Sequence, residues 1–212
     1  MELFSGTGSF SRVALELGYR INTYDIAESA DELRDGTHTR SDILDPSIDY
    51  PFSPFILWAS PPCQTFSIAS CSTHWTPEKE PRTDACLKGM AILHKTIELI
   101  YLYKPTWWFI ENPRGLMRKK IDQIFSGFGI KPIRQTITYC QYGDPRMKPT
   151  DIWSNATWWQ PRPMCKNGMP CHQSAPRGAR TGTQGIKGSR DRSRIPAELF
   201  IEIFRQLKES NE

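Results

Sequence analysis

A short apolar run that leads into two prolines and a cysteine constrains this chain more than any other feature. Residues 55–59 have the length and composition of a buried strand. Pro61 and Pro62 then hold the backbone in an extended or turn geometry. Cys63 therefore follows a strand end, which is where an α/β sheet presents side chains to a ligand crevice. The residues alone leave a second interpretation open, in which Cys63 is a buried free cysteine.

Composition limits the class of protein. The 212 residues suit one domain with a sizeable core, and the formal net charge of +4 is compatible with a nucleic-acid partner. No signal peptide or long apolar run is visible, so we expect a cytoplasmic monomer that does not contact membranes. Six cysteines in such a chain favour free thiols, catalysis or metal binding over disulfides.

A glycine turn lies close to the first residue. Residues 2–4 have the character of a strand, residues 5–8 read Ser-Gly-Thr-Gly, and residues 10–17 carry apolar side chains at helical spacing. Backbone can approach a ligand closely where side chains are absent, and a helix N-terminus favours negative charge. An ordinary tight turn is the alternative.

Two acidic residues follow where nucleotide-binding folds hold a ribose and a base. Asp25 ends a predicted strand at residues 20–24, and Asp42 stands beside Ile43. An acid at the end of the second strand commonly holds ribose hydroxyls in such folds. For either acid alone a helix cap or a solvated loop is the more common role, but the pair behind a glycine turn favours an adenosine-type ligand.

A second apolar strand predicts a second reactive side chain. Residues 106–110 lead directly into Glu111, where desolvation favours the neutral, hydrogen-donating form of a carboxyl group. Pairing with Arg114, or a helix cap, is the alternative for Glu111. Between the two strands, residues 67–83 form a long polar loop with the character of a lid, and a long helix then ends before Pro105.

The rest of the chain divides into three regions. Residues 1–154 form the predicted core, which closes with strands at residues 134–139 and 148–153. Residues 155–191 lack periodicity and are basic, and residues 192–212 contain a helix that returns to the core. Cys165, Cys171 and His172 could supply three zinc ligands in the middle region, with Cys140 earlier in the chain; free thiols are the alternative.

Three motifs now stand in order: Glu-Leu-Phe-Ser-Gly-Thr-Gly at residues 2–8, Pro-Pro-Cys-Gln at residues 61–64, and Phe-Ile-Glu-Asn-Pro at residues 109–113. Together they resemble the DNA cytosine-5 methyltransferase family, over roughly residues 2–153, and the compact tail is similar to phage-type members. The resemblance implies an α/β, Rossmann-like S-adenosylmethionine-dependent methyltransferase fold. In that fold a mixed, mostly parallel sheet has helices on both faces.

The resemblance also implies the chemistry and its residues. Cys63 adds to carbon 6 of a cytosine flipped out of DNA, Glu111 binds the ring, and the methyl group passes from S-adenosylmethionine to carbon 5. Cofactor-binding residues are then Phe4, Ser5, Gly6, Thr7, Gly8, Asp25, Ile26, Asp42, Ile43 and Pro61. The substrate-binding residues that we expect are Pro62, Gln64, Ser67, Asn112, Arg114, Lys148, Arg177 and Arg180.

The sequence departs from the family pattern in several places, one of which is Glu-Asn-Pro at residues 111–113 where Glu-Asn-Val is commoner. The arginine motif that usually follows the Tyr-Gly turn is replaced by Arg-Met-Lys-Pro-Thr at residues 146–150, and residues 155–191 stand where a target-recognition domain is usual. Methylation of RNA cytosine, a catalytically silent nucleic-acid-binding protein, and transfer of a modified group from a cofactor variant remain the alternatives.

Overall fold

The computed structural model describes residues 1–28, 38–48, 50, 53–174 and 188–210. Within these ranges seven strands form one sheet: β1 (Glu2–Leu3), β2 (Thr23–Asp25), β3 (His38–Arg40), β4 (Ile56–Ala59), β5 (Trp107–Pro113), β6 (Ile133–Thr138) and β7 (Pro149–Ser154). The helices are α1 (Ser9–Glu16), α2 (Cys71–His74), α3 (Asp84–Tyr103), α4 (Met117–Gly127), α5 (Ser189–Ser193) and α6 (Ala197–Glu209).

The strand order is β3-β2-β1-β4-β5-β7-β6. The five strands from β3 to β5 run parallel, and β7 lies antiparallel to both of its neighbours. Strand order reverses between β1 and β4, where Leu3 pairs with Ala59. A reversal of this kind opens a crevice at the carboxyl ends of the strands, where ligands of α/β proteins bind. The expected mixed, mostly parallel α/β sheet is confirmed.

Helices α1 and α6 cover one face of the sheet with aromatic side chains. Phe10 of α1 stacks on Trp58 of β4, with ring centroids 5.8 Å apart, and meets Phe200 of α6 edge to face at 5.5 Å. Burial of each such side chain contributes about 1.5–3 kcal/mol. The final helix is therefore part of the core and completes the wall behind β1 and β4.

Helices α3 and α4 cover the opposite face, so the expected two helical layers are present. Leu93 and Ile97 of α3 are fully buried there, and Trp108 of β5 stacks on Phe125 of α4 at 5.4 Å. The Thr83 side chain caps α3, and the helix ends at Lys104 in a left-handed conformation. No helix among the described residues is long and apolar enough to cross a membrane.

Some elements differ from the sequence prediction. The edge strand β3 is three polar residues long and has no apolar alternation, so its pattern does not distinguish it from a loop. The long polar segment at residues 67–83 is largely ordered, because it contains α2 and a bridge between Trp75 and Pro81. Trp75 is buried and donates its indole N–H to the carbonyl oxygen of Thr65 at 2.6 Å, which anchors this segment to the core.

Candidate active site

A cavity of about 730 Å³ opens at the carboxyl ends of β1, β2, β4 and β5. The motifs at residues 2–8, 61–64 and 109–113 all contribute to its wall. Because β1, β4 and β5 are parallel, the segments that follow them emerge at the same edge of the sheet. This arrangement brings Cys63 and Glu111 to one cavity.

The glycine turn forms one end of the cavity and is held by Asp25. Phe4 and Gly6 both adopt left-handed backbone angles, with φ of 60° and 46°. Asp25 accepts hydrogen bonds from the backbone N–H of Gly6 and of Ala27, each at 2.9 Å. The carboxylate therefore fixes the loop between β1 and α1 while its side chain still lines the cavity.

Apolar and acidic side chains meet beside this turn. Ile26 lines the cavity with 61% of its surface exposed, an unusual position for so apolar a side chain, and Ile43 is buried next to the cavity. The Asp42 carboxylate accepts from the backbone N–H of Leu44 at 3.1 Å and pairs with Lys88 of α3 at 3.2 Å. A flat ligand with apolar faces and polar edges, such as an adenine, could pack against Ile26 and place its polar edge beside Asp42.

Backbone contacts hold Cys63 at the other end. Asn112 is almost fully buried and donates its side-chain N–H to the carbonyl oxygen of Pro61 at 2.9 Å. The short 3-10 turn after Cys63 ends at Phe66, whose carbonyl oxygen accepts from the backbone N–H of Leu116 at 2.8 Å. Both contacts tie the cysteine loop to the segment that carries Glu111.

Glu111 lies inside β5, opposite Ile152 of β7, and is only 5% exposed. Its carboxyl oxygen accepts a hydrogen bond from the phenol of Tyr139 at 2.8 Å. The alternative pairing with Arg114 is not what is observed, because Arg114 is exposed and its backbone N–H bonds to the Pro149 carbonyl oxygen. Tyr139, the first residue of the 3-10 turn that follows β6, thus orients the buried acid from two strands away in the sheet.

Charges around the thiol set its reactivity. Burial raises the pKa of Cys63, and the nearby Glu111 carboxylate raises it further, whereas Lys148 and Arg192 lower it. The Lys148 ammonium lies 4.7 Å from the ring centroid of Tyr139 and donates to the Arg192 carbonyl oxygen at 3.3 Å. Burial and the Glu111 carboxylate also keep the pKa of Tyr139 well above its ordinary value, so this phenol remains a donor.

Most of the predicted site residues line this one cavity: Phe4, Ser5, Gly6, Thr7, Asp25, Ile26, Asp42, Ile43, Pro61, Pro62, Cys63, Gln64, Ser67, Glu111 and Lys148. Gly8 instead caps α1, and Asn112 and Arg114 lie outside the wall. Arg177 and Arg180 fall outside the described residues. Sequence reasoning did not single out Tyr139, although its position at the end of a predicted strand was a usable signal.

Comparison with known proteins agrees with this fold. The fold is similar to that of a crystal structure titled "putative DNA modification methyltransferase encoded within prophage" (E. coli): 77% of this chain superposes on 51% of that chain, with a TM-score of 0.52 and 16% identity. This chain therefore spans about half the length of that protein.

The sequence comparisons define the family. Residues 1–131 match the model of C-5 cytosine-specific DNA methylase, so this chain belongs to that enzyme family. It is also 26% identical to a protein of frog virus 3 (isolate Goorha) named "Probable DNA (cytosine-5)-methyltransferase". That similarity covers 96% of this chain and 97% of the viral protein.

Proposed function

We propose that this protein methylates carbon 5 of cytosine in DNA, with Cys63 as the covalent nucleophile and Glu111 as its acid partner. The observation that carries the proposal is that both side chains, from neighbouring parallel strands, line one cavity with the glycine turn. Family membership supports the reaction class, and the retained thiol and carboxyl group argue against a catalytically silent relative.

The glycine-turn end of the cavity fits S-adenosylmethionine. Asp25 could accept ribose hydroxyls, Asp42 an exocyclic amine, and Ile26 and Ile43 could cover the faces of the purine. Phe4 and Pro61 complete the wall toward the cysteine. When bound, this cofactor supplies an electrophilic methyl group.

The protein residues then supply the rest of the chemistry. The Cys63 thiolate forms a bond to carbon 6 of the target cytosine, which breaks the ring double bond and places electron density on carbon 5. Glu111, which takes up a proton when the cytosine binds, donates it to the ring nitrogen and stabilises that charge, while Tyr139 holds the carboxyl group in place. After methylation, carbon 5 loses its proton to solvent and the carbon–sulfur bond breaks.

The other end of the cavity suits a nucleotide that has left the duplex. Lys148 and Arg192 line it beside Cys63 and provide positive charge for a phosphate or a base edge. Gln64 and Ser67 lie on the same wall. Arg177 and Arg180 remain predicted phosphate contacts on the basis of sequence alone.

A fluorinated substrate gives a direct test. DNA with 5-fluorocytosine at target positions cannot lose a proton from carbon 5, so wild-type protein and cofactor should form an adduct that survives heat and detergent. Cys63→Ser should form none and should produce no 5-methylcytosine in nucleoside mass spectrometry.

Cys71→Ser is the matched control. Cys71 lies in the adjacent helix α2, outside the cavity wall, with its sulfur 3.8 Å from the Lys79 ammonium. This variant should trap DNA like wild type. Methylation that survives Cys63→Ser, or that is lost in Cys71→Ser, would place the nucleophile elsewhere.

A further inference from the structure

Four metal-ligating side chains converge away from the cavity. Cys140 lies in the 3-10 turn that follows β6, and Cys165, Cys171 and His172 come from the segment after β7. Their ligand atoms all lie within 4.8 Å of one another. Cys140 and Cys165 are buried, whereas Cys171 and His172 lie nearer the surface. The set is thus one of three sulfurs and one imidazole nitrogen.

Three of the separations between ligand atoms match the edges of a tetrahedral site. Zinc with Zn–S bonds of about 2.3 Å holds its sulfurs about 3.8 Å apart and a sulfur and an imidazole nitrogen about 3.5 Å apart. The sulfurs of Cys171 and Cys140 are 3.8 Å apart, and Nδ1 of His172 lies 3.4 Å from the Cys165 sulfur and 3.7 Å from that of Cys171. The sulfurs of Cys165 and Cys171 are closer, at 3.1 Å, but beyond the roughly 2.05 Å of a disulfide bond.

We propose that Cys140, Cys165, Cys171 and His172 bind one Zn²⁺ ion in a closed structural site. Thiolate and imidazole are the ligands that zinc prefers, and a set of four protein ligands leaves no position open for a substrate. Magnesium and calcium prefer oxygen ligands and are excluded by the same chemistry. The structure adds Cys140 to the three ligands that the sequence pattern indicated.

The backbone between the ligands is shaped for such a site. Gly168 adopts a φ of 85° and turns the chain between Cys165 and Cys171, so that both side chains face Cys140. The backbone N–H of Cys165 donates to the Thr138 side chain at 2.8 Å, which sets this ligand beside the end of β6. The ligand loop is therefore already attached to the strand that leads to the fourth ligand.

Polar contacts hold the two ends of this segment, where Arg162 pairs with Glu202 at 2.6 Å and the backbone N–H of Gln173 donates to the Pro145 carbonyl oxygen, but apolar packing contributes little to it. Residues 160–174 contain no helix or strand, and Met164 and Met169 are exposed. Ordering each residue costs about 1–2 kcal/mol in backbone entropy, which apolar burial does not offset here. A bound metal ion supplies that stabilisation in small segments of this kind.

The site has a consequence for the proposed function. Cys140 directly follows Tyr139, whose phenol donates to Glu111 at 2.8 Å. Zinc would fix the 3-10 turn Tyr139–Tyr142 and with it the donor that orients the acid. This coupling rests on the proposed function, whereas metal binding itself does not.

Cobalt titration of the full-length protein tests the site without DNA or cofactor. Protein stripped of metal under reducing conditions should bind one Co²⁺ with thiolate charge-transfer bands and the absorption of a tetrahedral ion. One equivalent of Zn²⁺ should abolish both signals. Elemental analysis of freshly purified protein should find one zinc per chain.

Two variants assign the ligands. Cys140→Ser should lose the tetrahedral cobalt spectrum, while Cys71→Ser, which alters a cysteine outside the cluster, should retain it. An unchanged spectrum and affinity in Cys140→Ser would remove Cys140 from the site. If Cys140→Ser fails to fold, the charge-transfer intensity of wild-type protein still counts the thiolates, and fewer than three would contradict the proposal.

Two further results would overturn the proposal. One is fully reduced wild-type protein that binds no stoichiometric Co²⁺ or Zn²⁺. The other is a Cys165–Cys171 disulfide in freshly purified protein that takes up no metal after reduction. Protein that binds zinc but forms no 5-methylcytosine would instead count against the proposed function and leave the metal site intact.

Discussion

At the scale of single residues, burial and neighbouring charges set the pKa of the Cys63 thiol in the protein without substrate. Desolvation raises the pKa of the thiol, and the carboxylate of Glu111 acts in the same direction. The positive charge of Lys148 lowers the pKa of the thiol. Since only a thiolate is a strong nucleophile, the free protein holds Cys63 largely in its unreactive thiol form near neutral pH.

This balance predicts how fast Cys63 is alkylated. In the free protein, the rate of iodoacetamide modification at Cys63 should rise about tenfold per pH unit from neutral into the alkaline range, because the thiolate fraction rises at that rate below the pKa. At a fixed pH, Glu111→Gln should react faster and Lys148→Met more slowly than wild type. Peptide mass spectrometry separates Cys63 from the other thiols. Equal rates in the two variants would show that the charges of Glu111 and Lys148 do not affect the pKa of the Cys63 thiol.

Substitutions of Glu111 and of Tyr139 should lower kcat by different amounts. Glu111→Gln should lower kcat by about 100-fold or more, the usual scale for a positioned acid. Tyr139→Phe removes one hydrogen bond to Glu111 and should lower kcat by about tenfold, with little change in KM for DNA. Single-turnover methylation measures both. A Tyr139→Phe protein with normal kcat and an unshifted pH profile would mean that the phenol only fills space.

At the scale of elements, the site depends on the close packing of the turn after Cys63 against the turn after β5. The backbone N–H of Leu116 donates to the carbonyl oxygen of Phe66, and a Cβ atom on Gly115 would overlap with that oxygen. Glycine is required at position 115 because the backbone of this turn comes too close to the backbone of Phe66 to leave room for a side chain. The cysteine loop and Glu111 are consequently held as one unit.

Substitution of this glycine should separate the two turns. Gly115→Ala should lower the free energy of unfolding by about 1–3 kcal/mol, the usual effect of overpacking, and should reduce methylation. Gly127→Ala is the matched control, since a Cβ there meets no atom within 4 Å, and it should be neutral or slightly stabilising. Chemical denaturation measures both. Equal stability and activity in the two variants would contradict this account of the packing.

At the scale of the whole molecule, cofactor binding should stabilise the fold. A ligand at about 100 times its Kd adds about 2.7 kcal/mol, which for a chain of this size raises Tm by about 5–10 °C. S-adenosylmethionine should produce such a shift, and Asp25→Ala should remove most of it. Asp122→Ala, at an exposed position of α4, should keep it. Absence of a shift in wild-type protein, with and without DNA, would contradict the cofactor assignment.

The sequence by itself determined the α/β class, the strand end that precedes Cys63 and the strand that carries Glu111. It could do so because apolar strands of four to seven residues, bounded by Pro and Gly, leave a pattern that depends only on local spacing. The glycine turn and Asp25 were visible for the same reason. The short polar strand β3 left no such pattern. The sequence placed the end of the strand that carries Glu111 too early, because β5 continues through Glu111 to Pro113 by pairing with β7.

Only the tertiary structure decided which side chains meet. Tyr139 reaches Glu111 across 28 positions, and Cys171 reaches Cys140 across 31, distances over which sequence spacing carries no geometric information. These contacts exist because β7 runs antiparallel between β5 and β6 and brings the ends of distant segments together. Strand order and direction, which follow from packing of the whole chain, set the partners of the acid and the fourth ligand of the proposed metal site.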